Sequence, residues 1–162
     1  MPATQQTAYP PRGFLAWGFR APVALYRAGL GWLFGGSLVL INHIGRTSGR
    51  PYQTLVELIE RDRQTGSVTV VAGYGERTQW YQNLRAHPDT IIQLGNKRIA
   101  VRAVFVSPVD GGDLLVRAAR KRGRLLVGGL FRAMGYTWDG TEEGLRQLAE
   151  ESLRFVRFDP LA

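Results

Sequence analysis

Two apolar runs rich in β-branched residues, Leu38-Val39-Leu40-Ile41 and Thr54-Leu55-Val56-Glu57-Leu58-Ile59, flank a short polar stretch bounded by glycines. Their length and composition predict strands, and the stretch between them, His43-Ile44-Gly45-Arg46-Thr47-Ser48-Gly49-Arg50-Pro51, reads as a hairpin connection. Gly45 and Gly49 are the expected positions of positive φ, which only glycine takes without a Cβ clash. Between them sit two hydroxyls and a guanidinium, with a second guanidinium at Arg50. A turn that presents backbone N–H groups beside Arg and Ser/Thr donors suits a phosphate or a carboxylate. The plainer alternative is a tight surface hairpin in a basic protein.

The same alternation of strand and turn continues along the chain. A turn at Arg61–Gly66 precedes the strand Val68–Ala72, which runs into the loop Gly73-Tyr74-Gly75-Glu76-Arg77. Thr90–Leu94 and Arg98–Val106 read as a hairpin around Gly95-Asn96, and Leu153–Phe158 as a last strand. Helices are predicted over Gln79–Ala86, capped by Thr78 and stopped by Pro88, and from Ser107-Pro108 to Arg122, broken by Gly123. Two more follow, over Leu125–Met134 and from Thr141-Glu142-Glu143 to about Glu151. On the first of these helices the apolar face is Trp80, Asn83, Leu84 and His87. Asn83 is the odd member, because a buried amide needs partners, from a neighbouring loop or from a ligand. About six strands joined mostly by hairpins predict an α+β, mainly β, small barrel with peripheral helices rather than a doubly wound parallel sheet.

At 162 residues, 44% apolar, the chain has the size of a single domain, 1–162, with a proper core. It has no cysteine, which removes disulfides, thiolate metal sites and thiol nucleophiles. Its two histidines, His43 and His87, lie in different elements, which tells against a histidine metal site or a Ser-His-Asp triad. A formal charge of +8 points to an anionic partner. The basic cluster Arg117, Arg120, Lys121, Arg122 and Arg124 has no nucleic-acid motif around it and reads as a solvated helix face. Residues 1–11 read as a loose arm, and 12–36 as an apolar, cationic helical segment in which Pro22 starts or kinks a helix. That segment lacks the layout of a secretory signal, and Arg20 and Arg27 interrupt it too often for a membrane span. Three roles stay open for it: peripheral membrane contact through residues 14–34, a cover over an apolar pocket, or packing on its own barrel. The expected location is cytoplasmic, at most peripherally membrane-associated.

Three motifs in order, Gly45-Arg46-Thr47-Ser48-Gly49, Val71-Ala72-Gly73-Tyr74-Gly75 and Trp80-Tyr81-Gln82-Asn83-Leu84-Arg85-Ala86-His87-Pro88, resemble those of the deazaflavin-dependent nitroreductases. The resemblance covers roughly residues 30–108 and implies a split β-barrel of the FMN-binding type that holds coenzyme F420. It implies that Arg46, Thr47, Ser48, Gly49, Arg50 and Tyr52 lie toward the phosphate end. Ala72, Gly73, Tyr74 and Gly75 would follow the deazaflavin ring, with Trp80 and Asn83 closing that side. Members that use this coenzyme often carry Lys where Thr47 stands and Arg where Tyr52 stands. They also carry a Ser and a Gly-Gly pair where this chain has Gly73 and Glu76. The implied reaction is hydride transfer to an apolar, electron-poor acceptor such as a quinone or nitroaromatic. Tyr136 and Tyr74 are the candidate proton donors, ordinary aromatic packing being the alternative for Tyr136. The competing readings are an FMN-dependent reductase on the same fold, a non-catalytic flavin, haem or lipid carrier, and a basic module on a membrane or nucleic acid. A homodimer is open in each, and no metal is implied.

Overall fold

The computed structural model describes residues 20–31 and 36–162. The arm expected over 1–11, and residues 12–19 and 32–35 of the following segment, lie outside the described residues. Within that segment helix α1, Arg20–Arg27, carries Pro22 and packs on the barrel through Tyr26. The Tyr26 ring is buried and its hydroxyl donates to the Leu38 carbonyl at 2.7 Å.

Six strands, β1 (Leu38–Ile44), β2 (Pro51–Arg61), β3 (Val68–Ala72), β4 (Asp89–Leu94), β5 (Lys97–Val106) and β6 (Arg154–Pro160), close into an antiparallel barrel. Their order around it is β1-β2-β3-β6-β5-β4. Closure leaves no sheet edge, the physical solution for strands this apolar. The β1–β2 pair runs from Leu38 opposite Glu57 to Ile44 opposite Pro51. Both strands reach further than their apolar runs, so the connection shrinks to residues 45–50. Pro51 opens β2, a position where its missing N–H costs no ladder bond.

Period-two alternation sorts the side chains into two cores. Val39, Ile41, Val70, Ile92, Val101, Val156 and Phe158 fill the barrel, joined by Trp80, Tyr81 and Leu84 from helix α2, Gln79–Ala86. Val71 and Phe155 point the other way, into a helix layer of α3 (Pro108–Arg122), α4 (Arg124–Ala133) and α5 (Glu142–Glu151). In that layer Leu115, Ala119, Phe131, Leu145 and Leu148 pack around Phe155. A Cβ on Gly111 would run into the Phe155 ring, so the bare backbone of α3 lets the helix lie directly on β6.

Three local expectations need correction. Gly49 does take a positive φ of 68°, but Gly45 does not. Gly45 is needed instead for space, since a Cβ there would meet the Ser48 hydroxyl and stand 2.8 Å from the Tyr52 ring. His87 is exposed, and Tyr81 takes its place on the buried face of α2. The chain leaves helical geometry at His87 (φ −134°, ψ 83°), because a residue before proline is pushed from the α region. Thr78 occupies the N-cap of α2 with extended geometry, yet its hydroxyl makes no capping bond. That oxygen is buried and has no hydrogen-bond partner among the described residues.

Candidate functional site

Asn83 ties the 45–50 turn to helix α2. It is 4% exposed, and its carboxamide oxygen accepts from the Arg46 backbone N–H at 3.1 Å and from Arg46 Nη1 at 2.9 Å. Its Nδ2 faces His43 Nδ1 at 2.9 Å. Two donors on the oxygen fix the amide's orientation, so Nδ2 donates and His43 Nδ1 must accept. The imidazole proton is therefore on Nε2, which donates to the Thr54 hydroxyl at 3.0 Å. His43 is 6% exposed, and burial lowers its pKa from 6.5 to about 4, which keeps the ring neutral and this tautomer in place. Tyr52 stacks on the ring with centroids 5.8 Å apart and planes 20° from parallel. Donation thus runs one way, from Arg46 through Asn83 and His43 to Thr54, a directional relay from the turn to the barrel wall.

Within the turn, Gly45 N–H donates to the Arg50 carbonyl and Gly49 N–H to the Gly45 carbonyl, both at 2.8 Å. The Ser48 hydroxyl accepts from the Arg50 N–H at 3.3 Å and lies 3.4 Å from the Tyr52 hydroxyl. The N–H groups of Thr47 and Ser48 donate to no acceptor among the described residues. Residues 46–50 and Tyr52 are all exposed. Arg46 spends Nη1 on Asn83 and, at 3.1 Å, on Gln79 Oε1, which leaves the rest of its fork available. Two guanidinium groups, free backbone N–H groups and hydroxyls on one preorganised turn are the donor chemistry a phosphate or carboxylate needs.

The second candidate loop, at 73–75, is held from the C-terminal part of the chain. Tyr136 donates to the Gly73 carbonyl at 2.6 Å, and a Cβ on Gly73 would stand 2.8 Å from Met134 Sδ. Gly75 has φ 62° and lies so close to the Ser152 carbonyl that a Cβ would be 2.7 Å from it. Glu76 pairs with Arg154 at 3.2 Å, and Gln82 of α2 donates to the Glu76 carbonyl at 2.7 Å. Burial raises the Tyr136 pKa, and the neighbouring Tyr74 adds to the rise. The Tyr136 phenol thus stands at Gly73 with its proton committed to that carbonyl, and Tyr74 is the next residue of the same loop.

Of the residues singled out in the sequence, Arg46, Thr47, Ser48, Gly49, Arg50, Tyr52 and Asn83 come together around the turn, while Gly73, Tyr74, Gly75 and Tyr136 gather at the second loop. Helix α2 bonds to the turn through Gln79 and Asn83 and, through Gln82, to the Glu76 carbonyl that follows the second loop. Trp80 and Ala72 are elsewhere, buried in the barrel core. His43, Gln79, Met134 and Arg154 are supporting residues outside the three motifs, and Gln82 lies within one of them without having been singled out. Among the described residues no group of His, Asp and Glu is arranged to hold a metal ion.

Comparisons with known proteins bear on the family and the fold. The family model described as F420H(2)-dependent quinone reductase matches residues 19–122. A Mycobacterium tuberculosis protein named "Putative F420H(2)-dependent quinone reductase Rv3178" is 36% identical over 91 residues, which cover 56% of this chain and 76% of that protein. A solved F420-H2-dependent reductase, FDR-A, superposes with a TM-score of 0.50 at 17% identity, covering 76% of this chain and 94% of its own. A domain-swapped dimer superposes with a TM-score of 0.52 at 16% identity, covering 91% of this chain and all of that one (100%). Both solved structures speak for the fold, a split barrel.

Proposed function

Since the chain belongs to the F420H(2)-dependent quinone reductase family, we propose that its 45–50 turn grips the phosphate end of the deazaflavin coenzyme and that loop 73–75 lies along the ring. The activity is that of a deazaflavin-dependent oxidoreductase with a quinone as acceptor. When bound, the coenzyme supplies the hydride, so the protein needs no nucleophile or metal of its own. Its residues bind and orient. Arg46, Thr47, Ser48 and Arg50 offer cations and hydrogen-bond donors, Gly49 gives the turn its shape, and Tyr52 covers its flank. Asn83 and Gln79 set the direction of the Arg46 side chain. Trp80 anchors α2 in the barrel core, and Ala72 ends the strand that delivers Gly73 to the site. Tyr136, its proton held by the Gly73 carbonyl, positions the loop, which leaves Tyr74 as the remaining candidate proton donor to the acceptor. The dimeric structural relative supports reading the chain as a homodimer. No helix among the described residues is long and apolar enough to cross a membrane; contact through residues 14–34 rests on a segment that is only partly described.

The observation that carries this reading is the preorganised, donor-rich turn locked to α2 by Asn83. A contact to the coenzyme far from the reacting carbon acts equally on ground and transition states, so it contributes to binding and not to the chemical step. Arg46→Ala should weaken coenzyme binding by roughly 1.5–3 kcal/mol, about ten- to a hundred-fold or slightly more. The rate at saturating coenzyme should stay within a few-fold of the parent. The comparison to make is with a truncated coenzyme lacking its phosphate, which should bind parent and variant alike. Additive losses from truncation and substitution would show that Arg46 holds something else.

A further inference from the structure

Helix α4 turns an apolar face to water. Its sequence, RLLVGGLFRA, holds Val127 and Phe131 in the helix layer, which leaves Leu125, Leu126, Gly129, Leu130, Arg132 and Ala133 on the exposed side. Leu125 is 94% exposed, Leu126 65% and Leu130 38%. A surface helix of a soluble domain places charged residues on that side. Here the whole helix carries two charges, both positive, at Arg124 and Arg132, and no acid. The last turn of α3 adds Arg120, Lys121 and Arg122 immediately before it. Arg120 is paired with Glu142 and Arg122 with Glu57, and Arg124 stands within electrostatic reach of Asp139 and Glu142. Lys121 and Arg132 are in none of the ion pairs among the described residues. The helix also lies beyond residues 19–122, the span of the family match.

We propose that this face of α4 docks on the surface of an anionic phospholipid bilayer. Leu125 and Leu126 enter the boundary of the acyl chains, while Lys121, Arg124 and Arg132 meet the headgroups. Charge decides between a bilayer and a second copy of the chain. A two-fold contact through this face would set cations against cations. Three leucines on a helix ~15 Å long also fall short of the ~800 Å² per partner that a stable dimer buries. An anionic surface complements both the leucines and the unpaired cations. It would bring the site to where apolar acceptors dissolve, although the inference stands on exposure and charge and not on the coenzyme site.

Co-sedimentation of the full-length chain with vesicles tests it. The chain should bind vesicles of equal parts phosphatidylglycerol and phosphatidylcholine and leave pure phosphatidylcholine in the supernatant. Leu125→Gln with Leu126→Gln should lower the partition coefficient at least ~tenfold. Lys121→Gln with Arg132→Gln should lower it roughly fivefold per cation, and added salt should weaken the parent more than this pair. Turnover of a water-soluble quinone should be unchanged in the leucine pair, whose side chains carry no core packing, which shows that the fold is retained. Equal binding by the parent and the leucine pair would overturn the proposal, as would equal binding to both kinds of vesicle or binding to neither. A dimer in sedimentation equilibrium that the leucine pair dissociates, without loss of vesicle binding, would overturn it too and give the face to a second copy.

Discussion

The barrel is braced on two sides, and the bracing differs in kind. Behind β3 and β6 stands an apolar layer in which Phe155, Phe131, Leu145 and Leu148 pack without a polar bond among them. Beside the β1–β2 turn stands a relay of named atoms, Thr54 Oγ1, His43 Nε2 and Nδ1, the Asn83 amide and the Arg46 backbone and guanidinium. Apolar packing is non-directional and scales with the area removed from water. A buried hydrogen-bonded chain adds about 1 kcal/mol net per bond but fixes direction, and it is costly when half-satisfied. The contrast assigns stability to the helix layer and aim to the relay.

The largest effect should come from the helix layer. Phe155→Ala empties the centre of that layer and should cost about 3–5 kcal/mol of unfolding free energy, read from urea denaturation. Coenzyme affinity of the folded fraction should hardly change. A large loss of affinity alongside would mean that the helix layer aims the site as well as supporting it.

A pH effect should expose the relay next. The folded-state pKa of His43 is lowered from 6.5 to about 4. Between those values the unfolded chain binds a proton that the folded chain refuses, so stability falls as pH drops from 6.5 toward 4 and the loss levels off below. It amounts to roughly 3 kcal/mol or slightly more. Asp62, Asp89, Asp139 and Glu142 have pKa values lowered by hydrogen bonds, so their stabilisation disappears only at more acid pH. Thermal melting of the parent between pH 6.5 and 5 should therefore slope, and that of His43→Phe should run flat. Parallel curves would show that His43 is solvated.

Asn83→Leu should cost ~1–3 kcal/mol in stability, because the Arg46 N–H and His43 Nδ1 lose their partner. Coenzyme affinity should drop as well, since Arg46 loses its aim. Loss of stability alone would reduce the relay to a second structural brace, and the contrast with the helix layer would vanish.

Much of the fold was legible because its signals are local. Ser107-Pro108 and Gly123 bound α3 as the sequence predicts, and the Ser107 hydroxyl accepts the Asp110 N–H at 3.1 Å. The barrel followed from short turns between β-branched runs. The site was legible in its motifs but not in its wiring. Asn83 was visible as a buried amide in need of partners, yet its partner His43 lies 40 residues away. His43 does share strand parity with the inward Val39 and Ile41, and that parity was the available sign of its burial. Trp80 looked like a ring-side residue in its motif, but only the packing of α2 decides which face its indole joins. The Tyr136–Gly73 bond spans 63 residues and leaves no local trace.

The smallest effect should come from that bond. If Tyr136 positions the loop, Tyr136→Phe removes one neutral hydrogen bond and leaves the ring packed edge-on against Phe131, with centroids 6.3 Å apart. The expected cost is ~1 kcal/mol of stability and a change of a few-fold in turnover. If its hydroxyl instead gives a proton to the acceptor, the same variant should lose turnover by ~10²–10⁴-fold with little change in stability. The present hydrogen bond separates the two cases in advance: donation to the Gly73 carbonyl at 2.6 Å occupies the only proton Tyr136 has. Burial raises its pKa, so that proton is held more firmly still. A donor so engaged would have to break this contact at every turnover, freeing the loop at the moment it is needed. Tyr74→Phe is the matching measurement, since Tyr74 belongs to the same loop and makes no such bond. A large loss of turnover in Tyr136→Phe and none in Tyr74→Phe would reverse the two roles.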